Sequence, residues 1–198
     1  MRRIIGVSAT LALSVLLAEN ATADQCPTKN ELQKGITVTQ TDGYKEIYSA
    51  TADNIVTVLG YQDPAEKSQS LLSQGIYLVQ TIDVTNDELV PSTRRTYTYP
   101  LSPGSMPVPK ANGSWTAQVV VTSSDGIDTE NHVMRFLDQT TMTFGACSYD
   151  MIPVEITYGE GEGETLLYLP ELGFAVVGVW RSGGVDEVLS YAEIEAVR

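Results

Sequence analysis

The chain has 198 residues, with 25 acidic against 12 basic side chains and a formal net charge of −13. That length suits one domain with its own core, and that charge repels phosphate backbones and anionic lipid, which argues against nucleic-acid binding. The carboxylates are spread along the chain rather than gathered in a tail, as expected for a solvated surface.

The N-terminus reads as a cleavable secretory leader. Arg2 and Arg3 supply a positive start, an apolar run extends from Ile4 to Leu17, and Ala21-Thr22-Ala23 offers a small-x-small cleavage pattern. A membrane span needs about 20 apolar residues, and this run is shorter. Residues 1–23 are therefore read as the leader and 24–198 as a single β-rich domain with no stable membrane anchor. Polar Asp24 and Gln25 before Cys26 argue against lipidation, and Arg2-Arg3 lacks the wider context of a twin-arginine signal. So brief a basic start looks bacterial, which makes the periplasm the expected destination. In an oxidising compartment the chain's two cysteines, Cys26 and Cys147, are expected to pair.

Thr28-Lys29-Asn30-Glu31 is a capping box with Gly35 as a stop, which predicts a short helix over Thr28–Lys34. Strand patterns then take over. Ile36 and Val38 alternate with threonines, Asp42-Gly43 marks a tight turn, and Tyr44–Ala50 returns. Asn54–Tyr61 and Gly75–Val84 are β-branched runs separated by Asp63-Pro64-Ala65-Glu66, a capping pattern that fits one or two helical turns or a loop. Five prolines between Pro91 and Gly113 forbid a regular ladder and predict a long loop crossing between two halves of one sheet.

Trp115–Thr122 resumes the strand pattern, Asp125-Gly126 turns it, and Met134–Leu137 with Thr140–Ala146 reads as a hairpin. In Pro153–Tyr158 the residues Val154, Ile156 and Tyr158 share one face. Gly159–Glu164 reads as a turn, Thr165–Leu169 as a strand, and Phe174–Trp180 as a strand buried on both faces. Gly183-Gly184 is the last turn. The spacing in Glu187–Val197 fits strand or helix, and the surrounding meander favours strand. The fold class is mainly β, with eight to ten strands and one or two short helices. It is either a single curled antiparallel sheet (a half-barrel) or a two-layer β-sandwich.

Absences narrow the chemistry. One histidine, His132, cannot build a multi-histidine metal site in one protomer, and no Cys-x-x-Cys, phosphate-binding glycine loop or Gly-x-Ser-x-Gly elbow is present. His132 reads as a structural or solvated side chain, with a general base as the rival. Glu160, Glu162 and Glu164 alternate with glycines, which suits a solvated hairpin tip better than the Asp/Asn-rich loops that hold calcium. Neither a catalytic residue nor a cofactor is assigned.

Cys147-Ser148-Tyr149-Asp150-Met151-Ile152-Pro153-Val154, followed by Leu167-Tyr168-Leu169-Pro170-Glu171-Leu172-Gly173, is the most distinctive text. It resembles a pattern in uncharacterised exported bacterial β-meander proteins whose curled sheet is similar to that of periplasmic lipoprotein carriers (LolA-type). The resemblance covers the last quarter of the chain and implies a half-barrel with an apolar concave face and a binding role. With it, the residues support a non-enzymatic periplasmic protein that binds an apolar small molecule or a cell-envelope partner. The contacts are expected from Trp115, Tyr149, Tyr158, Tyr168 and Trp180. Two other classes stay open: an envelope hydrolase using His132 or paired carboxylates, and an assembly factor docking by a sheet edge.

Overall fold

A computed structural model describes residues 26–198, and the leader read at 1–23 lies outside the described residues. After a 3-10 turn at Lys29–Gln33 come fifteen strands. They are β1 (Ile36–Gln40), β2 (Lys45–Ala52), β3 (Ile55–Asp63), β4 (Glu66–Ser73), β5 (Tyr77–Thr85), β6 (Glu88–Leu89), β7 (Arg95–Thr98) and β8 (Ser114–Ser123). Then follow β9 (Gly126–Phe136), β10 (Thr140–Phe144), β11 (Cys147–Gly159), β12 (Glu162–Leu169), β13 (Phe174–Ser182), β14 (Val185–Val188) and β15 (Tyr191–Ala196). All ladders are antiparallel, in the order β14-β13-β12-β11-β9-β8-β7-β5-β4-β3-β2-β1-β15, with β10 added to β11 and β6 to β5.

A sheet this wide curls, and here the curl brings its two edges together without closing a barrel. The edge strands β14 and β15 do not pair with each other, yet only Leu189 and Ser190 separate them in the chain. The Leu189 N–H donates to the Gly178 carbonyl at 2.9 Å, and the Thr41 N–H to the Ser190 carbonyl at 2.9 Å. A second junction joins strands far apart in the sheet order: the Ala175 N–H donates to the Gly75 carbonyl at 2.9 Å. The fold is thus the single curled sheet rather than the sandwich.

One core lies between the N-terminal strands and the chain's last third. Tyr48 stacks on Phe174 at 4.1 Å, and Ile36, Val38, Leu169, Leu172 and Ile194 surround them. The disulfide Cys26–Cys147 forms as expected, with 5.4 Å between Cα atoms, and ties the 3-10 turn to this core. A second core joins Met134, Phe136, Val154, Ile156, Leu166 and Tyr168.

The capping box holds, with the Thr28 N–H donating to Glu31 Oε2 at 2.8 Å, but it caps a 3-10 turn. Asp63–Glu66 makes the turn of the β3–β4 hairpin instead of helical turns. Asp63 Oδ1 accepts the Ala65 N–H at 2.8 Å, and such a side chain organises a turn as readily as a helix start. The pairing read for Thr140–Ala146 is different. β10 pairs with β11, Phe144 opposite Cys147, because Gly145 takes the positive φ of 56° that the tight turn needs. The proline-rich crossing carries β7, flanked by prolines, which pairs with β5 on one side and β8 on the other and keeps the sheet continuous. Its remainder straps across the sheet: Ser73 Oγ donates to the Pro103 carbonyl at 3.0 Å and Tyr77 OH to the Pro107 carbonyl at 2.5 Å. Glu187–Val197 contains a strand, β15, laid along β1.

Candidate functional site

Strand alternation and register build the site. On the inner face of the curl, Trp115 lies opposite Met134, Met134 opposite Ile156, Ile156 opposite Glu164, and Glu164 opposite Trp180. Successive side chains on a strand point to opposite faces, so stepping by two residues toward the hairpin tips gives His132 opposite Ala117 and Glu130 opposite Val119. Tyr158 stands two residues beyond Ile156. Each of these charged or polar side chains thus occupies a position that the pattern reserves for the interior.

Together they line a cavity of about 410 Å³, inside the range of small-molecule sites. Its walls are Tyr77, Tyr97, Tyr99, Tyr158 and Trp180, with Ile76, Leu78 and Ile156. Its charged groups are Arg95, Glu130, Glu162 and Glu164. A chain of ring contacts fixes the walls. Tyr77 meets Trp115 edge-on at 5.0 Å, Trp115 stacks on Tyr99 at 5.8 Å, Tyr99 meets His132 at 5.9 Å, and His132 meets Tyr158 at 4.6 Å. Rings held this way lose little freedom when a ligand arrives.

Two polar pairs sit among the rings. His132 Nε2 is 2.7 Å from Glu130 Oε2, and the Tyr158 hydroxyl donates to Glu164 Oε1. Desolvation pushes the Glu164 carboxyl up to about 7, and the Tyr158 hydrogen bond offsets only part of that. Desolvation likewise lowers the His132 pKa against the opposing pull of Glu130, so the ring is neutral at ordinary pH. A carboxylate accepts, so Nε2 carries the hydrogen and Nδ1 is left as an acceptor. His132 is only 3 % exposed, and its Nδ1 is buried with no hydrogen-bond partner among the described residues. A buried polar atom without a partner is costly in a finished core.

Of the residues singled out from the sequence, Tyr158 and Trp180 line the cavity, and Trp180 stands 44 % exposed at its edge. Trp115 lies behind it, against Tyr77 and Tyr99. Tyr149 is elsewhere, buried beside the disulfide with its hydroxyl on the Pro27 carbonyl at 2.8 Å. Tyr168 is buried in the second core. Sequence reasoning passed over Glu130, Glu164, Tyr77 and Arg95 as contacts. The signal was present for two of them: Glu130 and His132 are in phase with Met134 and Phe136, and Glu164 with Leu166 and Tyr168. Glu162 does belong to a hairpin tip, where it accepts the Gly183 N–H at 2.8 Å.

Among the described residues no three His, Cys, Asp or Glu side chains come together to hold a metal, and no serine, threonine or cysteine is hydrogen-bonded to His132. The nucleophile–base contact of a triad is therefore not assembled among those residues.

No protein-family model matches the chain, and no curated protein matches it. Among solved structures, the crystal structure of the hypothetical lipoprotein YmcC from Escherichia coli (K12) is similar at 11 % identity. The alignment covers 84 % of this chain and 88 % of that one, with a TM-score of 0.44. At that similarity the likeness assigns neither a role nor a LolA-type carrier architecture.

Proposed function

We propose that the chain is an exported, non-enzymatic binding protein that seats a small, largely apolar molecule in the aromatic-walled cavity of its curled sheet. The observation that carries this reading is the cavity itself. About 410 Å³ of space is framed by five aromatic side chains and lined also by Glu130, His132 and Glu164, the mix of apolar wall and few polar groups typical of ligand sites. Burial of ligand surface against the rings supplies affinity, at roughly 25 cal/mol per Å² before ordering costs. The Cys26–Cys147 bond supports folding in an oxidising compartment, and the leader at 1–23 supports delivery to the periplasm.

Native mass spectrometry tests it. Protein released from the periplasm without detergent is expected to carry an adduct that Trp180→Ala weakens. A bare polypeptide mass, with no adduct recovered on adding back a whole-envelope extract, overturns the reading. Docking by a sheet edge has less in its favour, because both edge strands are short and are joined at Leu189-Ser190.

A further inference from the structure

The charged groups that line the cavity are mostly acidic, and this points to the ligand's polar head. His132 lines the cavity, and its Nδ1 is a buried acceptor with no partner among the described residues. Glu164 gives one oxygen to Tyr158, and its Oε2 takes no hydrogen bond among the described residues. Glu130 faces the same space with one oxygen on His132 Nε2. The one cationic side chain on the lining, Arg95, is exposed. Arg95 and Glu130 both also border a neighbouring depression with Asp125 and Asp128, so both stand toward the mouth of the cavity.

Three carboxylates thus line the cavity against one guanidinium. Rings of Tyr97, Tyr99, Tyr158 and Trp180 surround them, and the electron-rich faces of such rings attract cations. A carboxylate or phosphate head would meet the negative charge of Glu130, Glu162 and Glu164, with only neutral hydroxyls such as those of Tyr97 and Tyr99 and the exposed Arg95 to donate to it. A neutral alcohol could satisfy at most part of the set. A group with several donors and a positive charge matches the acidic side chains best, and the chain's net charge of −13 draws such a group inward.

We infer that the molecule bound in this cavity is a primary organic amine in its protonated form, its ammonium held among Glu130, His132 and Glu164 and its apolar body against the tyrosines and Trp180. The inference rests on the binding role proposed above and adds the chemical class of the ligand.

The test is a tryptophan-fluorescence titration of the exported chain with three probes of one apolar body, below their micelle-forming concentrations: decylamine, decanol and decanoate. Trp180 at the edge of the cavity and Trp115 behind its wall provide the signal. Decylamine is expected to bind about tenfold or more tighter than decanol, the scale of one desolvated charge-assisted contact, with decanoate weakest. Glu164→Gln, which keeps the side chain's shape, is expected to cut the amine's advantage over the alcohol to within about threefold, and Glu130→Gln to narrow it as well. Circular dichroism identifies any variant that has lost the fold. Equal affinity for amine and alcohol, or preference for decanoate, overturns the amine inference while leaving the binding role standing. Failure of all three probes to bind, together with a bare mass in the native spectrum, overturns both.

Discussion

Tyr158 on β11 donates its hydroxyl to Glu164 on β12, and this pair places a carboxyl pushed up to about 7 in the cavity wall. An acid whose pKa is higher folded than unfolded stabilises the fold in its protonated form. Its contribution is complete below the unfolded pKa, near 4.5, and is lost as pH rises through about 7. Glu46, desolvated beside Tyr48, is also pushed up to about 7 and acts with the same sign. Thermal midpoints are therefore expected to fall as pH is raised from 5 to 8. Glu164→Gln should be more stable than the parent at pH 8, by about 3 kcal/mol, and indistinguishable from it at pH 4. A variant that loses stability equally at both pH values would refute the assignment.

The Cys26–Cys147 bond closes 121 positions of chain and anchors the segment whose Pro27 carbonyl accepts the Tyr149 hydroxyl. Crosslinking so long a loop restricts the unfolded chain strongly, and losing such a bond costs about 2–5 kcal/mol. Cys147→Ser, or reduction of the parent, is expected to shift the urea midpoint down by a corresponding amount. Because Cys147 and the cavity residue Tyr158 stand at opposite ends of β11, probe binding at low denaturant should survive. If the midpoint is unchanged, the bond is structurally idle.

The alternation in Ile36–Val38, Trp115–Thr122 and Pro153–Tyr158 made the strands legible, since period-two burial is what a half-buried sheet imposes on sequence. β4 was harder to see. Its run Ser68-Gln69-Ser70 carries no apolar alternation, and these residues are only partly buried. The Thr140–Phe144 strand was legible, but its partner was not, because register depends on which turn closes and both neighbours offered a plausible strand. The aromatics of the site were visible as a group. What assembled Tyr77, Tyr99, His132 and Glu164 was the curl, which brings β5 and β7 near β12 and β13, and no local pattern encodes that contact.

Gly75 marks where the curl closes. At φ +69° it lies so near the backbone of Gly173 that an added Cβ would stand 2.1 Å from that carbonyl oxygen and 2.8 Å from Phe174 Cα. Backbone on both sides cannot yield as a flexible side chain would. Gly75→Ala is expected to cost about 3 kcal/mol or more, combining overpacking with left-handed strain. Gly43→Ala is the control, with φ +93° and nothing within 4 Å of its Cβ. It should cost only about 1 kcal/mol. Equal urea midpoints for the two variants would mean that this junction does not hold the sheet curled.

Amine binding should itself depend on pH through Glu164. The groups facing it are Tyr158 from β11, Tyr97 and Tyr99 from the β7 segment, and Glu130 and His132 from β9, with Glu162 and Arg95 further along the lining. The three tyrosines have raised pKa values, so none of them changes charge between pH 5 and 8, and His132 has a lowered one. An ammonium favours the ionised carboxylate, so below about 7 the free cavity must release a proton before it binds. Decylamine affinity is therefore expected to rise by up to about tenfold per pH unit toward 7 and to level off above it, whereas decanol affinity stays flat. Glu164→Gln should remove the rise. An amine affinity that is flat from pH 5 to 8 in the parent, or a rise that persists in Glu164→Gln, would place the ammonium away from this carboxylate.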